Sequence, residues 1–88
     1  MREFADRLYN LRKKKGLTLD ELGAALNIQK STLWRYEKNE TDPSLENAKK
    51  IAHYFNVSMD YISGITDNKS ISNGISKEEL LNKLKELL

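Results

Sequence analysis

The sequence predicts an all-α fold, and three features carry that reading. Thr18 followed by Glu21 has the spacing of a capping box, which opens a helix. Apolar residues then recur at helical three-and-four spacing through the first two thirds of the 88 residues. A second box, Ser76 with Glu79, precedes a run in which leucines fall on one side. Together they describe a bundle of five short helices over residues 1–64, a polar linker over 65–75 and an amphipathic helix over 76–88.

Length and composition set the bounds. A chain of 88 residues is one domain's worth, and so short a chain buries a limited fraction of its surface, so one helical core with an appendage is expected. The chain has no cysteine, which removes disulfides and thiolate metal sites. No apolar run approaches ~18 residues and the charged N-terminus lacks a signal-peptide core, so a soluble cytoplasmic protein is expected. Net charge is only +2, a poor argument for nucleic acid taken alone. The excess is uneven: residues 1–43 hold nine Lys or Arg against seven Asp or Glu, whereas residues 44–88 hold six of each.

In the first helix Phe4, Leu8 and Leu11 form the inward stripe, and Gly16 ends it. The run Arg12, Lys13, Lys14, Lys15 stands at its C-terminus, where the helix dipole favours cations and where phosphate could also be met; both readings stay open. The second helix starts at the Thr18 cap with Leu19, Leu22 and Leu26 as its stripe, and Gly23 among them suggests a close backbone approach. Asn27 suits a left-handed turn and Ile28 a buried anchor within it. In the third helix Leu33 and Tyr36 face inward with Ile28, leaving Lys30, Ser31, Trp34, Arg35 and Lys38 outside. That outer strip is basic, hydrogen-bonding and partly aromatic.

The segment 39–43 has turn composition, with Asp42 or Ser44 as cap and Pro43 in the first turn of the next helix. Leu45, Ala48, Ile51, Ala52 and Phe55 then make a core helix. His53, the one histidine, lies on it with no Cys or second His at ligand spacing, and is read as a bystander rather than a metal or catalytic group. Ser58 caps a short fifth helix with Val57 and Ile62 inward, Tyr61 near the surface and Gly64 as its end.

The stretch GLTLDELGAALNIQKSTLWRYEKNETDPSLENAKKIAHYFNVSMDYISG, Gly16 to Gly64, closely resembles the Cro/CI-like (XRE) helix-turn-helix regulators of bacteria and phages. The resemblance covers the motif and its flanking helices, and implies a lambda-repressor-like five-helix bundle whose second motif helix lies in the DNA major groove. It places Gln29, Lys30, Ser31 and Arg35 at base or phosphate contacts and Lys38 near the backbone-contacting end. Thr32 and Trp34 on the same helix, with Arg12 and Thr18 beside it, complete the candidate DNA-binding set. Relatives also link the first and third helices by an Arg/Glu pair, here Arg12 and Glu37, expected as an exposed orienting contact worth ~0 to 1 kcal/mol. Departures from the family are Leu19 where many relatives have Gln, Asn27 and Asn39 where Gly is frequent, Thr41 and Asp42 in a loop often basic, and Trp34 at a position usually small or polar.

A helix the length of 76–88 is marginal alone in water, so its face of Leu80, Leu81, Leu84, Leu87 and Leu88 needs a partner. Pairing with the same helix of a second copy is the favoured expectation, since a two-fold dimer on a palindromic operator doubles the footprint. Folding back on its own domain and binding a different protein, as an antagonist would, are the alternatives. Family dimers also suggest Tyr61 at the symmetry contact, against its reading as a half-exposed core aromatic. No phosphate loop, metal spacing or nucleophile with a base supports an enzyme, and no cofactor is expected. A protein-binding module of antitoxin or anti-repressor type is the serious competitor to DNA binding.

Overall fold

The structure is a computed structural model and describes residues 2–69. The helix called at 76–88, with Leu80, Leu81, Leu84, Leu87 and Leu88, lies outside the described residues, as does the linker beyond 69. Five helices follow one another: α1 Arg2–Lys14, α2 Leu19–Leu26, α3 Lys30–Glu37, α4 Leu45–Phe55 and α5 Met59–Ser63. No strand occurs among the described residues.

Local chemistry fixes most helix ends. The Thr18 hydroxyl accepts from the Glu21 N–H at 3.1 Å while the Glu21 carboxylate accepts from the Thr18 N–H at 2.9 Å. Ser44 and Ser58 cap α4 and α5 through their hydroxyls, accepting from the Asn47 and Tyr61 N–H groups. Such caps each contribute about 1 kcal/mol by satisfying an otherwise unpaired first-turn donor. Asn27, Asn39 and Asn56 all take left-handed backbone angles, φ 55°, 58° and 56°, a conformation asparagine tolerates better than most residues. Asn27 and Asn56 end α2 and α4, and Asn39 turns the chain just after α3.

The core is one cluster: Phe4 and Leu8 of α1, Leu22 and Leu26 of α2, Ile28 of the turn, Leu33 and Tyr36 of α3, Ile51 and Ala52 of α4, then Val57 and Ile62. Phe4 and Tyr36 meet edge to face at 5.8 Å, joining α1 to α3. Tyr36 keeps its hydroxyl satisfied by accepting from the Asn47 amide at 2.9 Å. Every buried side-chain nitrogen or oxygen among the described residues has a partner.

Four features differ from the expectations. Leu45, assigned inward, is 66% exposed at the first position of α4, and burial on that helix begins only at Ala48. Pro43 precedes the Ser44 cap and so lies outside the helix. Leu11 is only half-buried, and the stripe of α1 continues from Phe4 and Leu8 to Arg12, which is buried. Residues 65–69, read as the start of a linker, are fastened to the domain: Ile65 and Thr66 donate to the Asp60 carbonyl, and Ser58 donates to the Lys69 carbonyl at 3.1 Å.

Candidate nucleic-acid interface

The helix-turn-helix unit is α2, its turn and α3, and its angle is set by atoms in contact. A Cβ added at Gly23 would stand 2.7 Å from the Ile28 carbonyl oxygen, so the turn passes over α2 at a distance only glycine permits. Ile28, buried in the turn, packs into the core, and its N–H donates to the Gly23 carbonyl at 3.0 Å. With Leu33 and Tyr36 buried beneath it, α3 has one face anchored and the other turned to solvent.

That outer face carries Gln29, Lys30, Ser31, Trp34, Arg35 and Lys38, all exposed, with Thr32 half-buried at its edge. Gln29 stands at the N-cap without a side-chain cap bond. Trp34 is 44% exposed, and the Lys38 ammonium lies 5.9 Å from its ring centre. Trp34 therefore keeps nearly half of its surface open to solvent on this strip. The Lys30 ammonium sits 3.3 Å from the Asp20 carboxylate, an exposed pair across the motif. Thr18 is exposed and uses an acceptor lone pair in its cap, which leaves its O–H to donate outward.

Arg12 is where the sequence reading needs correction. Its guanidinium donates twice to Glu37, Nε to Oε2 at 2.6 Å and a terminal nitrogen to Oε1 at 2.9 Å, and once to the Leu17 carbonyl at 2.8 Å. The two side chains are only 11% and 6% exposed. The pair is thus buried and bidentate rather than exposed, and it takes Arg12 out of the solvent-facing basic run. Donating to the Glu37 carboxylate pushes the guanidinium pKa further up against the opposing effect of burial. Arg12 ties the end of α1, the α1–α2 turn and the end of α3 into one unit. Lys15, from the same run, turns its ammonium to the Tyr54 ring of α4, 4.3 Å from the ring centre.

The remaining assigned residue, Tyr61, is half-buried under the Arg7 guanidinium, which lies 4.2 Å above its ring centre. Arg7, Asp20 and the exposed Leu45 had no distinguishing sequence signal. Each matters through a neighbour distant in the chain or through the angle of a helix end. His53 is exposed on α4, and no group of His, Cys, Asp or Glu among the described residues could hold a metal ion. No helix among them is long and apolar enough to cross a membrane.

Comparison with known proteins agrees with this geometry. A family model described as helix-turn-helix matches residues 8–62, spanning the motif and the helices on both sides. The chain belongs to the Cro/CI-like (XRE) helix-turn-helix family. Two family proteins of Bacillus subtilis are similar to it. The HTH-type transcriptional regulator ImmR is 38% identical over 77 residues, covering 88% of this chain and 58% of ImmR. The uncharacterised HTH-type transcriptional regulator YobD is 37% identical over 65 residues, covering 74% of this chain and 58% of YobD. The chain thus spans 58% of the length of either relative. Among solved structures, a transcriptional regulator from Listeria innocua superposes with a TM-score of 0.67 at 31% identity, covering 94% of this chain and 76% of that one. The SinR protein in its complex with the SinI protein gives 0.66 at 24% identity, covering 96% and 93%, a likeness of fold.

Proposed function

We propose that this XRE-family chain is a sequence-specific DNA-binding transcriptional regulator that acts as a repressor by occupying its operator. The outer strip of α3 carries the reading, because it offers exposed donors and cations on a helix whose opposite face is anchored in the core. Lys30 and Arg35 have the chemistry to donate to guanine O6 and N7, Gln29 and Ser31 to hydrogen-bond bases or phosphate, and Thr32 and Trp34 to touch thymine methyls or sugars. Lys38 and Thr18 suit phosphate. Arg12 acts through Glu37 by holding α3 at its working angle. Binding needs neither chemistry nor a cofactor, and it belongs in the cytoplasm where the DNA of a bacterium or phage is found.

One such unit reads few base pairs, so the working form in this proposal is a homodimer on a palindromic site, its two α3 helices roughly 34 Å apart. The leucine face of residues 76–88 is the pairing element, with the α5 region around Tyr61 as a second contact. A second reading, a protein-binding module, draws on the same leucine face and on the occurrence of this fold in a SinR–SinI complex.

Fluorescence anisotropy against duplexes from the upstream region of the gene, at two salt concentrations, tests the proposal. Site-specific binding that weakens steeply with salt is expected, the slope growing by ~0.9 per phosphate neutralised. Equal affinity for every duplex, or none, rejects operator recognition and leaves protein binding.

A further inference from the structure

Arg7 of α1 has had no role of its own so far, yet its guanidinium makes three hydrogen bonds to residues more than fifty positions away. One terminal nitrogen donates to the Tyr61 carbonyl at 2.6 Å and to the Thr66 carbonyl, and the other donates to the Asp67 carboxylate at 2.8 Å. The guanidinium plane also covers the Tyr61 ring, and the Lys69 ammonium lies 5.7 Å from the centre of that ring. The Arg7 side chain is 19% exposed. Beside it, Ile65 donates to the Asp60 carbonyl and Gly64 to the Tyr61 carbonyl, a Schellman-type end to α5. Gly64 holds φ 91°, and a Cβ there would fall 2.5 Å from the Glu3 Cβ, so α1 and the end of α5 touch. The chain leaving α5 is therefore gripped by α1 as far as Asp67, and the Ser58 N–H holds the Lys69 carbonyl beyond it.

We propose that Arg7 fixes the direction in which the chain leaves the DNA-reading domain, and that it thereby sets the spacing of half-sites a dimer accepts. The inference rests on the proposed pairing through residues 76–88. Its physical content is that residues 65–69 belong to the rigid body, with Thr66 and Asp67 held to α1 by Arg7 and the rest of the segment held by Asp60 and Ser58. A guanidinium suits this task because its planar fork donates to two carbonyls and a carboxylate at once, which an ammonium cannot match in direction. Rigid exit keeps two reading helices in fixed register; loose exit lets each rotate to find its half-site.

Selection from random duplexes gives the preferred site, and affinities are then measured with half-sites moved apart by ~1, 2 and 5 base pairs, the last putting them on opposite faces of the helix. Wild type is expected to lose ~100-fold or more at the largest displacement, whereas Arg7→Gln loses less than ~10-fold and keeps its dimer mass and single half-site affinity. Arg7→Lys should behave like Arg7→Gln, since charge alone does not grip the strand. Asp67→Ala, at a fully exposed residue and hence harmless to folding, should broaden spacing partially if Arg7→Gln fails to fold. An unchanged narrow profile in both Arg7→Gln and Asp67→Ala, or a wild type indifferent to spacing, overturns the proposal while leaving dimeric DNA binding intact. Selected sites containing one half-site and a monomeric mass overturn the dimer reading and this inference together.

Discussion

At the residue scale, burial decides what each charge is worth. Arg12 and Glu37 are about nine-tenths buried, so removing one leaves the other without its counter-charge in a poorly solvated place. Arg12→Ala should cost about 3 to 5 kcal/mol in urea unfolding, and the double substitution Arg12→Met with Glu37→Leu should recover much of it. Exposed residues of α3 should behave in the opposite way. Arg35→Ala is expected to leave stability unchanged and to relax discrimination by about 1 to 3 kcal/mol at one base position. Lys38→Ala should weaken all sequences alike and lower the salt slope by about one; both are read by anisotropy titration. Glu21 gives the pH dependence. Accepting the Thr18 N–H lowers its pKa below the ordinary value of 4.5. The folded pKa being depressed, its stabilising contribution is present above that ordinary value and is lost as pH falls through the folded one. Glu21→Gln should therefore flatten the acid limb of a thermal unfolding profile below about pH 4.5.

At the element scale, the turn between α2 and α3 carries the geometry. Gly23→Ala ordinarily gains about 1 kcal/mol of helix propensity. Here the added methyl meets the Ile28 carbonyl at 2.7 Å, so the turn must open. A net loss of about 1 to 3 kcal/mol is expected, with weaker DNA binding, measurable by thermal melts and titration of the same sample. This turn was legible in the sequence because a glycine inside a leucine stripe and an apolar residue inside a turn both break local rules. The caps at Thr18 and Ser58 were legible for the same local reason, while the cap of α4 was narrowed only to Asp42 or Ser44, and it is Ser44. What was not legible is tertiary. Nothing near Leu45 says that burial on its helix begins only at Ala48, and Arg12 gives no sign that its pair with Glu37 is buried rather than in solvent. The composition of 65–69 reads as linker because the groups that hold it, Arg7 and Asp60, are contributed by other parts of the chain. The outer strip of α3 was readable as a face, since exposure follows from the buried positions of Leu33 and Tyr36 by helical geometry.

At the scale of the whole molecule, a net charge of +2 is too small for a general affinity for DNA, so salt dependence should come from a few residues of one face. Truncation before residue 75 should leave a folded domain, because the described core lies wholly within 2–69. Sedimentation should then give a monomer, with operator affinity reduced by ~100-fold or more through loss of bivalency. An unchanged mass would assign pairing to the α5 region instead. The chain has one tryptophan, and it is Trp34, half open to solvent on the strip assigned to DNA. The protein therefore carries a native optical probe at the proposed point of contact: stacking against a sugar or base should quench and shift its emission without any label, whereas a ligand held elsewhere should leave the spectrum as it was.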